Sequence, residues 1–246
     1  MPSSDLSFDG KNVLVTGANR GIGRALVAEV LDRGAARVYA TTRQPLSHPD
    51  ERVVALSFDV TDEAAIAAAA ERVDELDILI NNAGVSVNDD LSDREQLDRH
   101  LAVNLYGTYG VTQAFLPALE RSGGRIVNVL SLAAMAGLPI MPAYAVSKAA
   151  AFSLSQSQRA LLAARGVTVH VVLPGPVDTD MTRDLPLEKA APESVAAAIL
   201  DGVERGEQEI FPDVVSAAIA DGWRSSASKA LEGEFAAFVQ PQPAEA

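Results

Sequence analysis

Six short apolar runs rich in β-branched residues are spaced along the first 176 residues: 12–17, 37–42, 53–60, 76–84, 124–131 and 167–176. Stretches with apolar residues at helical spacing, 21–35, 63–75, 97–119 and 143–166, lie between most of them. This alternation is the tightest constraint on the fold. A strand that is apolar on both faces must be covered on both, and strands that alternate with helices pair in parallel. The expected class is therefore α/β, a doubly wound parallel sheet with helices on both faces. Gly34 stops the first helix, and the helical stretch 97–119 forms one or two segments about Gly107. The run Ala67–Ala70 reads as plain amphipathic helix, because alanine is the best helix former.

At 246 residues the chain suits one α/β domain, taken as residues 1–239, with a disordered tail QPQPAEA over 240–246. There is no cysteine, which excludes a disulfide framework and any Cys-ligated metal. The three histidines, His48, His100 and His170, are not at metal-binding spacing, so no metal site is expected. His170 reads as a hydrogen-bonded core residue and His48 as a loop residue. The charged run Asp89, Asp90, Asp93, Arg94, Glu95 reads as a solvated loop and helix start. Twenty Lys and Arg against 33 Asp and Glu give a formal charge of −13, which repels nucleic acid. The N-terminus has no basic region followed by an apolar run, and no apolar run approaches a membrane span. A cytoplasmic protein with no membrane partner is expected.

The turn after the first apolar run reads Thr16-Gly17-Ala18-Asn19-Arg20-Gly21-Ile22-Gly23. Glycines there allow a tight turn and close approach of backbone to a ligand, and a helix N-terminus offers free N–H groups to a pyrophosphate. Lying between a strand and a helix, this is a dinucleotide cradle. An NAD-selective site places a carboxylate at the end of the second strand. Here stand Thr41, Thr42 and Arg43, and Arg43 can pair with a 2′-phosphate, with Arg20 nearby in the turn. NADP(H) is expected over NAD(H). Asp59, ending the third strand beside Val60, is a candidate for the adenine amino group.

The segment Ser131–Lys148 is apolar nearly throughout, yet it carries Ser131, Tyr144 and Lys148. Tyr144 and Lys148 are spaced i, i+4 and share a helix face. A nearby ammonium lowers the pKa of a phenol, which fits Tyr144 for proton transfer to a carbonyl oxygen. Ser131, at the carboxyl edge of the sheet, can bond the same oxygen. Apolar surroundings exclude water and suit a lipophilic substrate.

Taken together, Thr16-Gly17-x3-Gly21-x-Gly23, Asn81-Asn82-Ala83-Gly84, Asn104, Ser131, Tyr144-x3-Lys148 and Pro174-Gly175-Pro176-Val177-x-Thr179 resemble the short-chain dehydrogenase/reductase family. The resemblance implies a Rossmann-like, seven-stranded sheet and hydride transfer between a nicotinamide and a substrate carbon. It implies that Tyr144 is the general acid/base, that Lys148 lowers its pKa and bonds the nicotinamide ribose, and that Ser131 orients the carbonyl. Asn104 would hold a water linking Lys148 to a proton relay. Asn82, Ala83 and Gly84 would wall the riboses, and Pro174, Gly175, Val177 and Thr179 would cradle the nicotinamide.

Substrate contacts are expected from Val85, Ser131, Leu132, Ala133, Leu138, Pro176 and Met181, which suit a small to medium apolar ketone, aldehyde or alcohol. Met135 and Met141 are further candidates. The resemblance thins after Met181. Residues 176–239 are then the substrate-specific part, with Ile210 and Phe211 in a seventh strand and Trp223 packing a helical C-terminus onto the body. A homodimer or homotetramer is expected, paired through the Gly107–Arg121 and Tyr144–Arg165 helices. A non-catalytic NADP(H) sensor would need only the cradle, and the presence of Tyr144 and Lys148 argues against it. Epimerases and sugar-nucleotide enzymes of the family carry a larger C-terminal domain than this chain can hold.

Overall fold

A computed structural model describes residues 6–44 and 46–239; the tail expected over 240–246 lies outside them. Seven parallel strands form one sheet in the order β3-β2-β1-β4-β5-β6-β7: β1 Asn12–Thr16, β2 Arg37–Thr42, β3 Val53–Ser57, β4 Ile78–Asn81, β5 Arg125–Val129, β6 Thr168–Val172 and β7 Glu209–Ile210. The fold class is the expected Rossmann-like one. Chain direction across the sheet reverses between β1 and β4, so the loops leaving their carboxyl ends diverge and open a crevice there.

The strands sort their side chains by parity. Val13, Val15, Ile78, Ile80 and Val127 pack with α1 (Gly21–Asp32) and α6 (Pro192–Glu204). Leu14, Leu79 and Ile126 pack on the opposite face, against α2 (Glu63–Ala70), α4 (Thr108–Ser122) and the end of α5 (Pro142–Ala163). The alanine run is the helix α2, which buries Ile66 and Ala69. Asp62 caps it by accepting from the Ala65 N–H at 3.0 Å.

The helical stretch about Gly107 is continuous but not uniform. Helix α3 (Arg94–Leu101) passes into a π-helical turn, Ala102–Gly107, before α4 begins. Such turns insert one residue into the hydrogen-bond ladder and recur at functional sites; this one contains Asn104.

Beyond β6 the expected seventh strand is present but lies one residue earlier than predicted. It holds Glu209 and Ile210 but not Phe211, which precedes Pro212 and packs beside Trp223. Proline has no N–H to continue the ladder. Helices α7 (Val214–Arg224) and α8 (Ala227–Ala236) follow. Trp223 is buried against Phe152 of α5, with ring centroids 5.3 Å apart. An ionic cluster fastens α8: Arg159 of α5 lies 2.7 Å from Glu209, Lys229 lies 2.9 Å from Glu209 and 3.0 Å from Glu232, and Arg159 also pairs with Glu232. Burial raises the Glu209 pKa, but Arg159 and Lys229 outweigh it and hold the carboxyl below its usual value. His170 is buried in β6 and hydrogen-bonds the Glu207 carbonyl oxygen through Nδ1 at 2.6 Å, as a core residue would.

Candidate active site

A cavity of about 1030 Å³ runs along the crevice above β1 and β4. Gly17, Asn19, Arg20, Gly21, Ile22 and Gly23 line its floor. Gly17 takes φ +67°, and a Cβ on Gly23 would lie 2.1 Å from the Gly17 carbonyl oxygen. The turn therefore closes tightly enough for its backbone to meet a ligand directly. No side chain caps the N-terminus of α1, and its first turn carries no acidic residue. Its N–H groups and positive partial charge are left for an anion. A pyrophosphate fits this cradle.

At one end Thr42, Arg43, Asp59 and Val60 line the cavity. Asp59 Oδ1 accepts from the Thr61 N–H and hydroxyl at 2.9 and 2.8 Å. Burial raises the Asp59 pKa, but these bonds and the charge of Arg43 bring it below the usual value. Arg43 is exposed and faces the cavity, placed for a phosphate on the adenosine ribose. Arg20, in the turn nearby, has a carboxylate partner of its own. Its guanidinium crosses the cleft to Asp180 at 3.0 Å. The short helical turn Asp180–Thr182 brings a carboxylate to it from 160 residues away.

Asn82, Ala83 and Gly84 form the central wall, and Pro174, Gly175, Val177 and Thr179 the facing one. Thr16 Oγ1 accepts from the N–H groups of Asn82 and Ala83, both at 2.9 Å, which ties the wall to β1. Asp213, at the start of α7, accepts the Gly175 N–H at 2.8 Å and so anchors the facing wall to the C-terminal helices.

Ser131, Tyr144 and Lys148 meet at the far end. Ser131 lies two residues past β5, where its Oγ accepts from the Ala133 N–H at 3.1 Å and its hydroxyl lies near enough to the Tyr144 phenol to draw its pKa down. Pro142 opens α5, where its fixed φ suits the first turn, and Tyr144 and Lys148 follow on one face. Tyr144 is buried among Ala133, Leu138, Met141 and Leu185.

The expected direction of its pKa is reversed. Burial pushes the phenol above its usual value, and the opposing pull comes from Ser131 rather than from Lys148. The reason is geometric: Lys148 Nζ donates to the Val129 carbonyl oxygen at 3.0 Å and lies 5.7 Å from the Tyr144 ring centroid, over the face and not at the hydroxyl. Burial brings the Lys148 ammonium itself down to about 8.

Asn104 is buried behind the cavity wall rather than on it. It exchanges two hydrogen bonds with the backbone of Val85, each 2.9 Å, and donates to Ser147 Oγ at 2.9 Å. Ser147, buried between Tyr144 and Lys148 in sequence, donates in turn to the Tyr144 carbonyl oxygen at 2.7 Å. Nothing in the sequence distinguishes Ser147 from the other serines of α5, so this link is visible only in the fold.

Val85, Leu132, Ala133, Leu138, Pro176 and Met181 line the apolar end of the cavity. Met141 lines it too, whereas Met135 packs beside Trp223 and Phe152 instead. Ile140, Leu185 and Leu187 were not anticipated; Ile140, Leu187 and Met181 are half exposed and form an apolar rim. Among the lining residues the only cations are Arg20, Arg43 and Lys148. His48 is not among them. Asp89 also departs from expectation: its Oδ2 accepts from the Ala143 N–H at 3.2 Å and caps α5. Among the described residues no His, Asp and Glu group is arranged for a metal ion, and no helix is long and apolar enough to cross a membrane.

A doubly wound sheet with a glycine cradle at its switch point and a Ser-Tyr-Lys cluster at the far end of the same cavity defines a dinucleotide-dependent class of oxidoreductase. The model of the short chain dehydrogenase family matches residues 11–190, and the chain belongs to that family. The 3-oxoacyl-acyl-carrier-protein reductase FabG of Salmonella typhimurium is 35% identical over 218 residues, 83% of this chain and 88% of its own length. A crystal structure of a short chain dehydrogenase from Burkholderia cenocepacia J2315 in complex with NADP is 38% identical. It superposes with a TM-score of 0.85 over 96% of this chain and 100% of that one. Thermoplasma acidophilum aldohexose dehydrogenase, 23% identical with a TM-score of 0.73 over 83% of this chain, shares the fold.

Proposed function

We propose that residues 1–239 form one catalytic unit that reduces an apolar ketone or aldehyde with NADPH, reversibly, in the cytoplasm. The observation that carries this reading is the placing of Tyr144 beside Ser131 at the apolar end of a cavity whose other end is a dinucleotide cradle. When bound, the nicotinamide supplies the hydride. Ser131 and Tyr144 hold the carbonyl oxygen between two hydroxyls, and Tyr144 gives it the proton as charge develops. Its raised pKa keeps that proton in place at neutral pH. Lys148 holds the nicotinamide ribose and supplies positive charge beneath Tyr144. Asn104 and Ser147 fix the backbone on either side.

The cofactor preference rests on Arg43 and on the absence of a carboxylate at the end of β2. Arg43→Ala should weaken NADPH about tenfold or more, the worth of a charged hydrogen bond, and leave NADH nearly unchanged. Fluorescence titration with both cofactors checks this; equal losses would remove Arg43 from that role. The lowered pKa of Lys148 gives a pH prediction. Lys148 is a cation below about 8 and neutral above it, so kcat/KM for reduction should be level near neutral pH and fall above about 8. A profile level to pH 9.5 or so would show that this charge is not needed.

The substrate reading is tested with 2-alkanones of rising chain length, the matching aldehydes and 3-oxo esters, following NADPH oxidation. The rim of Ile140, Leu187 and Met181 favours longer chains, and a phosphate-bearing carrier arm would find no cation on that wall beyond Lys148. NADPH binding without turnover of any member would favour the sensor reading instead. Exposed Tyr106, Tyr109, Val146 and Leu161 on the outer faces of the π-helical turn, α4 and α5 support a homo-oligomer paired there.

A further inference from the structure

His100 is fully buried in α3, and the reaction proposed above assigns it nothing. Its two ring nitrogens are both engaged. Nε2 lies 3.1 Å from the Val87 N–H, which can only donate; Nδ1 lies 2.6 Å from the Gln96 carbonyl oxygen, which can only accept. One neutral tautomer satisfies both, with the proton on Nδ1. The ring then stands edge-on to Tyr144, with centroids 6.5 Å apart and planes at 72°.

The loop after β4 makes this arrangement more than packing. Asn104 and His100 are four residues apart, and they bond Val85 and Val87, two residues apart. Helix spacing on one side is matched to extended-chain spacing on the other, so the two side chains grip one edge of the loop. Between the grips lies Ser86, which with Val85 lines the substrate end; its Oγ lies 2.9 Å from the sulfur of Met141. Two residues beyond Val87, Asp89 caps the helix that carries Tyr144. His100 thus holds, through a hydrogen bond, the residue that follows the wall residues Val85 and Ser86, and its ring packs T-shaped with the phenol of Tyr144.

We infer that His100 is a positioning residue, resting on the proposed reduction, which holds the Val85–Val87 wall and the Tyr144 ring in register with the carbonyl. The experiment compares wild type, His100→Phe and His100→Gln with the 2-alkanone series. It measures kcat and KM for the ketone, Kd for NADPH, Tm, and the isotope effect with NADPH deuterated at the transferred position. Phenylalanine keeps the ring but has no acceptor for Val87. Glutamine restores an acceptor and a donor.

The expected result for His100→Phe is a kcat lower by about tenfold or more, as for reacting groups displaced by a fraction of an ångström. The isotope effect should rise, NADPH affinity should hold, and His100→Gln should recover most of the rate. Wild-type kcat and KM in His100→Phe would overturn the inference. So would a joint fall of Tm and NADPH affinity in both variants, which marks a residue of the fold alone. If wild type itself reduces none of the series, the reductase reading fails first, and this inference with it.

Discussion

Tyr144→Phe should lower kcat for ketone reduction by about a thousandfold, within the range that a positioned acid contributes, while NADPH binds as in wild type. The substitution removes one hydroxyl. The ring remains packed among Ala133, Leu138, Met141 and Leu185, so the cluster that holds α5 is kept. Ser131 keeps the Ala133 N–H. What disappears is the proton donor. Stopped-flow NADPH oxidation and a fluorescence titration separate the two effects, and a kcat within tenfold of wild type would take Tyr144 out of the chemistry.

Gly23→Ala should be the most damaging single change in the cradle. Its Cβ would lie 2.1 Å from the Gly17 carbonyl oxygen and 2.6 Å from Asn82 Nδ2. The first obstacle is backbone and cannot rotate away, so the turn must move. Overpacking of this kind costs about 3 kcal/mol, which for a chain of this size lowers Tm by on the order of 10 °C. Asn82 Nδ2 also donates to the Thr16 carbonyl oxygen at 2.9 Å, so the displacement passes to the central wall. Both Tm and dinucleotide affinity should fall. Wild-type values for both would mean that the turn has slack that the structure does not show.

How much of this was legible in the sequence follows from the range of each cause. The strands and the cradle were readable because they are local: a β-branched run, then glycines, then a helical repeat. The end of β7 was not, because only Val171 and Val172 offer it partners. The π-helical turn leaves no mark in the apolar pattern, since one inserted residue shifts the helix face without changing its composition. Arg20 was read from its neighbours in the turn, whereas its partner Asp180 comes from the far wall of the cleft. His100 carries no signal in the sequence beyond its lack of metal-binding spacing, and only tertiary packing buries it against Tyr144. The pKa of Tyr144 was misjudged because i, i+4 spacing fixes a shared face but not where the amine ends; here it ends on the Val129 carbonyl oxygen.

The ion pairs of this protein will not respond alike to ionic strength. The α8 cluster of Arg159, Glu209, Lys229 and Glu232 has side chains only 5 to 21% exposed, and mobile ions reach it poorly. The Arg20–Asp180 pair across the cleft is 65% and 45% exposed, where screening is nearly complete at molar salt. Concentrated electrolyte therefore loosens the strap between the glycine turn and the facing wall while α8 stays seated. It frees the cofactor's doorway before it frees any part of the frame.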